Sequence, residues 1–512
     1  MVEQEATRRE VLETLYESGL VVGAEELEKI LAMVEPLKVA KLLTQKFSDK
    51  CLNWEDIESV TGAYSQKDSI VSEVIVAKEI EEICAKQEIE EGRNELKRKP
   101  EILEPEKIMV FKLNEDECAR PSAEVYAKLF LDRYKKIKQI FVHANTKHIT
   151  PIKTLKKLAM RPTTERVENT IVGIVNEATR SKHGNAILAV VEDDSGEKIR
   201  ISVPEKHARY LIKDSVMAFK GNLSVRNDDE LFFASDVLSP DIPTIGREVR
   251  RPSEPSALLF ISDIHVGSKT FLYPAWERFT KWLNEGDDEA RKVKYIIVAG
   301  DLVDGIGIYP NQEEELEIDD IYEQYRELAR LFSHIPEHIG IIVIPGNHDA
   351  VRQAEPQPPL SQDIQEILGE RVFCYSNPAY IKIAGLKILI YHGRSFDDLV
   401  EQAPSYLTYS KPTTLMRELL KLRHLAPTYG SKTPMAPLPY DALVIHDVPD
   451  IFVAGHVHTS GVERYRGTLL VNASTWQSQT EFQKQSNITP MPACVVYYEV
   501  NTGNYKIHSF LT

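Results

Sequence analysis

The sequence predicts an α/β protein: a layered sheet domain in the carboxyl-terminal half, preceded by a small β-barrel and an amino-terminal helical module. Three observations carry that expectation. Six short apolar runs in the second half each open onto Asp, His or Asn. Five strand-like runs separated by turn residues occupy residues 168–240, and apolar side chains recur at helical spacing before residue 60.

In chain order, Val11, Leu12, Leu15 and Tyr16, then Leu27, Ile30, Leu31 and Val34, fall at helical spacing, punctuated by Gly19 and Gly23. Residues 1–60 therefore read as a helical module that docks onto something. Residues 61–120 carry Glu81, Glu82, Glu88, Glu90, Glu91 and the basic Lys97-Arg98-Lys99-Pro100, the composition of a charged linker, partly helical and partly disordered. A helical lead-in is expected over 121–165, where Val125, Leu129, Phe130 and Tyr134 share one face.

Over 166–245 the period changes. Strands are expected at Thr170–Val175, Ala186–Val191, Lys198–Val203, Ser215–Phe219 and Leu231–Ala234, with turns at Asp193–Gly196 and Arg226–Asp229. Five strands so spaced suit a small barrel of the oligonucleotide/oligosaccharide-binding (OB) type. Few aromatics interleave with its Arg and Lys, so a structural or subunit-docking role stands ahead of direct nucleic-acid contact, and both stay open.

The last region, 246–512, opens within a connector, Ile242–Ser253, that holds Pro243 and Pro252 among Arg247, Arg250 and Arg251. Its apolar runs are Leu258–Ile261, Tyr295–Val298, Ile341–Ile344, Leu386–Ile390, Ile451–Val453 and Leu469–Val471. They alternate with helical patterns at Ala275–Leu283, Ile318–Phe332 and Ile364–Leu368, which implies a layered α/β domain. Such Ile- and Val-rich runs read as strands buried on both faces. Asp, Asn and His at their ends are destabilising unless partnered, because desolvating a polar group alone is costly. A divalent metal would supply the partner, and open sheets gather ligands beyond their strand ends. Between His392 and His456, an insertion carrying Lys411, Arg417, Lys421, Arg423 and His424 reads as a solvated face, with guidance of a nucleic-acid backbone as the alternative.

A net charge of −16 argues against a general polyanion binder; nucleic acid must be met through a local basic surface or metal ions. Five scattered cysteines without a CxxC predict a reducing compartment. No apolar stretch approaches the roughly 18 to 20 residues that span a bilayer. The amino terminus lacks a basic-then-apolar signal. A soluble, cytoplasmic protein that does not engage membrane is expected.

Asp, His and Asn donors without cysteine suit Mn²⁺, Fe or Zn²⁺. They are too many for one tetrahedral ion, so two ions sharing a carboxylate is the simplest assignment. Asp301 is the expected bridge, because the turn Gly300-Asp301-Leu302-Val303-Asp304-Gly305 lets backbone approach an ion. Two ions roughly 3.5 to 4 Å apart activate water and stabilise both oxygens of an in-line displacement at phosphorus. Asp349 is expected to shape its turn rather than bind metal, and His334, near a helix end, is a decoy.

Asp263-Ile264-His265, Gly300-Asp301-Leu302-Val303-Asp304, Gly346-Asn347-His348-Asp349, His392 and Gly455-His456-Val457-His458 occur in that order, each at the end of its own strand. The series resembles the calcineurin-like metallophosphoesterase superfamily. The resemblance implies one ion held by Asp263, His265, Asp301 and His458, and a second held by Asp301, Asn347, His392 and His456. It leaves His348 to stabilise the transition state or protonate the leaving oxygen, with Asp304 fixing its tautomer and orientation. The superfamily places one ligand histidine between the third and last motifs; His392 fits it, which leaves His446 a supporting role.

A barrel directly ahead of such a domain, behind a helical module and a charged linker, is similar to the small subunits of replicative DNA polymerases. Ser474-Thr475-Trp476-Gln477-Ser478-Gln479-Thr480-Glu481-Phe482-Gln483, followed by Asn487 and Pro490, is similar to the carboxyl-terminal signature of archaeal family D small subunits. The resemblance covers roughly residues 120–512. It implies a dimetal-dependent 3′→5′ proofreading exonuclease acting on single-stranded or mispaired DNA ends. The implied cofactors are two divalent ions, Mn²⁺ first, Fe or Zn²⁺ as alternatives, and Mg²⁺ for the polymerase complex. The implied partners are a large catalytic polymerase subunit, single-stranded 3′ ends of DNA and, through the complex, a sliding clamp. Two rival readings stand beside it: a scaffold subunit whose metal site is vestigial, and a phosphoprotein or nucleotide phosphatase.

Overall fold

The structure, a computed structural model, describes residues 118–512 except 145, 147, 160–167, 182–185, 227–228, 245–254, 404–405 and 486–488, together with 11, 21–22, 30, 51–52 and 106–109. The chain divides into two compact units, Met1–Lys99 and Pro100–Thr512. In the first, Val11 and Ile30 are fully buried, and β1 (Val21–Val22) pairs in parallel with β2 (Cys51–Leu52). The helical module expected over 1–60 otherwise lies outside the described residues. So does the expected linker, apart from β3 (Glu106–Met109) and the few residues that precede the next helix.

Helix α1 (Ala123–His143) begins where Ser122 Oγ accepts a hydrogen bond from Val125 N at 3.3 Å. Leu129, Tyr134, Ile137 and Phe141 form its buried stripe, and Tyr134 Oη donates to Val172 O at 3.1 Å, seating it on the barrel. Helix α2 (Ile152–Ala159) buries Ile152 and Leu155. The barrel comprises β4 (Asn169–Arg180), β5 (Ala186–Glu192), β6 (Lys198–Pro204), β7 (Val216–Arg226) and β8 (Asp229–Leu238), closed in the order β4-β5-β6-β8-β7. Alternation fixes its inside: Ile199, Ile201 and Val203 of β6 face the core while Lys198 and Arg200 face water. Each expected strand is present, and closure leaves no open edge.

The remaining elements run β9 (Ala257–Ile261), α3 (Tyr273–Glu285), α4 (Asp288–Arg291), β10 (Val293–Ala299), α5 (Ile321–Ser333) and β11 (Gly340–Ile344). They continue with α6 (Gln362–Leu368), β12 (Val372–Cys374), β13 (Ala379–Ile383), β14 (Leu386–Ile390), α7 (Phe396–Gln402) and α8 (Pro412–Leu422). The last are β15 (Ile451–Ala454), β16 (Gly461–Tyr465), β17 (Thr468–Asn472), α9 (Glu481–Gln485), β18 (Cys494–Glu499) and β19 (Tyr505–Ser509). The strands form two six-stranded sheets, β12-β11-β10-β9-β18-β19 and β16-β17-β15-β14-β13-β3.

The layering has one more sheet than a single helix-covered sheet would have. Phe260, Ile297 and Ile342 of the first sheet meet Ile388, Val453 and Val471 of the second in one buried cluster. The opposite rows, such as Leu259 and Val298, pack under Trp276, Phe279 and Leu328 of α3 and α5. Likewise Phe452 and Leu470 pack with Leu415 and Leu419 of α8. A strand covered by a helix on one face and a sheet on the other has the same unbroken apolar run as one between two helical layers.

The insertion between His392 and His456 departs from the solvated face expected of it. Arg423 and His424 are 5% and 1% exposed, and Arg417 and Lys421 are ion-paired with Glu463 and Glu418 at 2.8 and 2.6 Å. These four side chains are therefore not a free track for phosphates. Among the described residues no helix is long and apolar enough to cross a membrane.

Candidate metal centre

Strands β9, β10 and β11 are parallel neighbours in one sheet, and β14, β15 and β17 in the other. Five of these six strands end in the loops that carry the expected ligands, so the loops meet at one end of the two-sheet stack. The backbone there is unusual. Asp263, His265, Asp301, His456 and His458 all have φ between 49° and 70°. That left-handed conformation costs on the order of 1–3 kcal/mol per residue and persists only where surroundings over-determine it. At Asp263 the restraint is visible: its carbonyl accepts from Trp476 N at 3.0 Å and Thr475 Oγ1 at 2.8 Å. Trp476 in turn is wedged against Trp276 and Phe279, at 4.8 and 5.2 Å between ring centroids. The motif glycines answer to crowding: a Cβ at Gly346 would strike the Asp301 carboxylate, and one at Gly455 the Asp263 carboxylate and Ser262 Oγ.

The seven expected ligands converge. His458 Nε2 lies 3.3 Å from Asp263 Oδ1 and 3.1 Å from His265 Nε2. On the other side, His392 Nε2 lies 3.2 Å from Asp301 Oδ2 and 3.1 Å from Asn347 Oδ1, and the His392 and His456 rings are 5.1 Å apart. Asp263, His265 and His458 form one group with donor atoms within 4.8 Å of one another, and Asp301, His392 and His456 a second. Asp301 Oδ2 is also 3.9 Å from His265 Nε2, so its carboxylate faces both groups.

Neighbours orient the rings. His265 Nδ1 is 3.0 Å from Asp304 Oδ1, and His392 Nδ1–H donates to Ala299 O at 2.8 Å, which turns each Nε2 toward the cavity. His348 Nδ1–H donates to the Asp304 carbonyl at 2.7 Å, and His348 Nε2 stands 4.0 Å from Asp301 Oδ2. This corrects the expected role of Asp304. Its carboxylate orients His265, and only its backbone oxygen holds His348. The ring planes of His265 and His348 are nearly perpendicular with centroids 4.7 Å apart, so one turn serves both.

Burial alone would raise the Asp301 carboxyl, but the imidazoles of His392, His348 and His265 hold it well below the usual carboxylate range. Burial opposes charge on His392, and Asp301 overrides it and pushes the imidazole up to about 10. Asp349 is raised to about 6 by burial and by Asp301; it accepts from Gly346 N at 2.8 Å and from Tyr325 Oη at 3.0 Å, tying the turn together. His446, exposed, and His334, the α5 cap, lie outside the convergent set.

Several residues were not singled out by motif reading. Gln477 Nε2 donates to Asp304 Oδ1 at 3.2 Å, Gln312 Nε2 to Asp304 O at 2.8 Å, and Gln483 Nε2 to His458 Nδ1 at 2.7 Å. Asp397 Oδ2 lies 3.3 Å from His456 Nε2. The two carboxyl-terminal glutamines belong to the Ser474–Gln483 signature; the local signal was polar side chains in a stretch that turns out 7% exposed or less at Gln477, Thr480 and Gln483.

The donor set fits divalent cations. Carboxylates, imidazoles and an amide oxygen crowd a cavity of about 250 Å³ that His265, Asp301, Asn347, His348, His456 and His458 help to line. Ring nitrogens facing one another at close range, with carboxylates beside them, are satisfied together by a positive ion.

A family model for the B subunits of DNA polymerases alpha and epsilon matches residues 258–462. Solved structures with similarity include a novel archaeal phosphodiesterase, at 14% identity, covering 49% of this chain and 98% of that one, with a TM-score of 0.25. Another is Vps29 of Entamoeba histolytica complexed with zinc, at 14% identity, 49% and 97% coverage and a TM-score of 0.25. The DNA polymerase II small subunit of Pyrococcus furiosus is 41% identical over 74% of this chain, which spans 62% of that relative, less than two thirds of its length. That of Thermoplasma acidophilum is 36% identical, covering 76% of this chain and 79% of its own. That of Archaeoglobus fulgidus is 46% identical, covering 64% of this chain and 67% of its own. With a complete strand-end ligand series and identities of this size over such lengths, the chain belongs to the family of archaeal DNA polymerase II small subunits.

Proposed function

We propose that this chain is the exonuclease-bearing small subunit of a two-subunit replicative DNA polymerase, working beside a separate large subunit that synthesises. Its reaction is hydrolysis of the terminal phosphodiester at single-stranded or mispaired 3′ ends. The observation that carries this reading is the convergence of seven donors: His265, Asp301, Asn347, His456 and His458 line one cavity with His348 at its rim, and Asp263 and His392 stand directly behind them, against His458 and Asp301. Asp263, His265, Asp301 and His458 would hold one ion, and Asp301, Asn347, His392 and His456 the other. When bound, two divalent ions, Mn²⁺ first, acidify a water and offset negative charge at phosphorus.

The protein's own side chains do the rest. Asp301, held between the two groups by left-handed backbone, keeps both halves of the site in one register. His348, its Nδ1–H pinned on the Asp304 carbonyl, directs Nε2 into the cavity, from where the imidazolium gives its proton to the departing 3′ oxygen. A frayed end reaches such a recess at lower unpairing cost than a stacked one, which favours mispairs.

The test is to incubate the chain with a labelled single strand with and without Mn²⁺. Shortening from the 3′ end that requires Mn²⁺ is expected, and His348→Ala should lower it by about 10²- to 10⁴-fold with Mn²⁺ binding unchanged by calorimetry. Absence of shortening in any metal would favour the vestigial scaffold. Faster turnover of a phosphoprotein than of DNA would favour the phosphatase.

A further inference from the structure

The cavity has a closed floor and an open rim. The side chains of Asp263 and His392 have no exposure and those of His265 and Asp301 have 2%, whereas His348 and His456 keep 15% each and Asp397 27%. A phosphodiester reaches the floor past the last three. Two half-buried tyrosines line the cavity, one in a loop of the first sheet and one in a loop of the second. On one side the Tyr309 ring lies 6.4 Å from that of His348, and its hydroxyl donates to Glu315 Oε2 at 3.1 Å. On the other, Tyr409 donates to Asp397 Oδ1 at 2.9 Å, and the second oxygen of that carboxylate faces His456 at 3.3 Å. Thr459 Oγ1 donates to the Tyr409 carbonyl at 3.1 Å. Rings anchored in this way lose little freedom when a ligand packs on them.

We propose that Tyr309 and Tyr409 are nucleobase subsites on the two sides of the scissile phosphate, Tyr309 for the penultimate base and Tyr409 for the terminal one. The assignment rests on the exonuclease reading. The 3′ oxygen that His348 protonates belongs to the penultimate nucleotide, so the ring beside His348 is nearest that nucleotide's base. The terminal nucleotide lies across the phosphate, on the His456 side. Stacking on tyrosine is open to every base because each has a π-face, so the pair selects for unpairing and not for sequence. A base still stacked in a duplex cannot use either ring. The substrate class is therefore an end with at least two unpaired nucleotides.

The test uses the full chain with Mn²⁺ and 3′ ends that are normal, abasic at the terminal position, or abasic at the penultimate position. Binding of the same ends with phosphorothioate linkages is followed in parallel by fluorescence anisotropy. Tyr409→Leu should raise KM and weaken binding about tenfold on normal DNA, and change nothing further on the terminally abasic end. Tyr309→Leu should couple in the same way to the penultimate position, while Tyr309→Phe and Tyr409→Phe, which keep the ring and lose its hydroxyl anchor, should weaken binding less than the Leu variants and retain the coupling to their own positions. Additive losses, or coupling to the opposite position, overturn the subsites. Coupling seen by anisotropy in a chain that never shortens DNA removes the exonuclease reading and keeps the subsites.

Discussion

Asp441 and Asp263 are both buried carboxylates beside histidines, yet their surroundings are built differently. Asp441 Oδ2 accepts from Arg133 Nε at 2.6 Å and sits 2.8 Å from His424 Nε2, while Oδ1 accepts from Leu443 N at 2.9 Å. His424 Nδ1 accepts from Ala426 N at 3.1 Å, so its Nε2–H points at the carboxylate and every group is matched. Asp263 accepts from the backbone N–H of His456 at 2.9 Å and otherwise faces imidazoles, two of which oppose each other at 3.1 Å. Among the described residues, the ion pairs of Asp263 and Asp301 are with histidines alone. The chain thus supplies its own countercharge at Asp441. At Asp263 and Asp301 the countercharge among the described residues is imidazole alone, His392 for Asp301 and His458 for Asp263, and an added cation can take its place. A buried Asp–His cluster becomes a candidate ion site by what it lacks as much as by what it contains.

The sharpest way to break this contrast is Asp301→Asn. Because Asp301 faces both groups, the substitution should abolish binding of both ions by calorimetry and lower exonuclease activity by more than about 10⁴-fold, beyond the loss of one acid–base group. Retention of two Mn²⁺ per chain would remove Asp301 as the bridge. Next comes Asp441→Leu, which leaves the Arg133 guanidinium buried without its carboxylate and should cost about 3–5 kcal/mol in urea unfolding. Adding Arg133→Met should recover part of that loss. A double variant no more stable than the single one would mean that the cluster is not a closed unit.

The smallest effect is a pH dependence of stability. Burial, reinforced by Arg133, pushes the His424 imidazole down to about 4, so the folded state binds fewer protons than the unfolded one. The contribution of His424 is fully present above its ordinary value of 6.5 and is lost as pH falls through about 4. Lowering pH from 7 to 4.5 without metal should lower the unfolding midpoint, and His424→Gln should flatten that slope. An equally steep slope in the variant would show that His424 is not the titrating group.

The two clusters were unequally legible in the sequence. The candidate metal centre announced itself because each expected ligand follows an apolar run, and a strand's end is a local feature of composition. The Asp441 cluster did not: Arg423 and His424 sit in a helix-spaced basic stretch that looks solvated, and their burial depends on elements distant in the chain, such as Arg133, 308 residues from Asp441. Asp304 lies between these cases. Its place beside the site followed from the motif, but spacing does not say which of two adjacent histidines its carboxylate meets. Gln477 and Gln483 carry no metal-ligand spacing, so only the docking of Trp476 reveals them as partners of Asp304 and His458.

By itself the sequence determined the five barrel strands, the six apolar strands of the last region and the identity of the donors at their ends, because period and residue type are local properties of a chain. Only the tertiary structure decided that two sheets and not one carry those ends, that the Asp304 carboxylate meets His265 while its carbonyl meets His348, and that Gln483 reaches His458. The reason is physical: contacts between strand-end loops are set by how sheets stack and by backbone held in the left-handed region, and neither leaves a periodic mark on the chain.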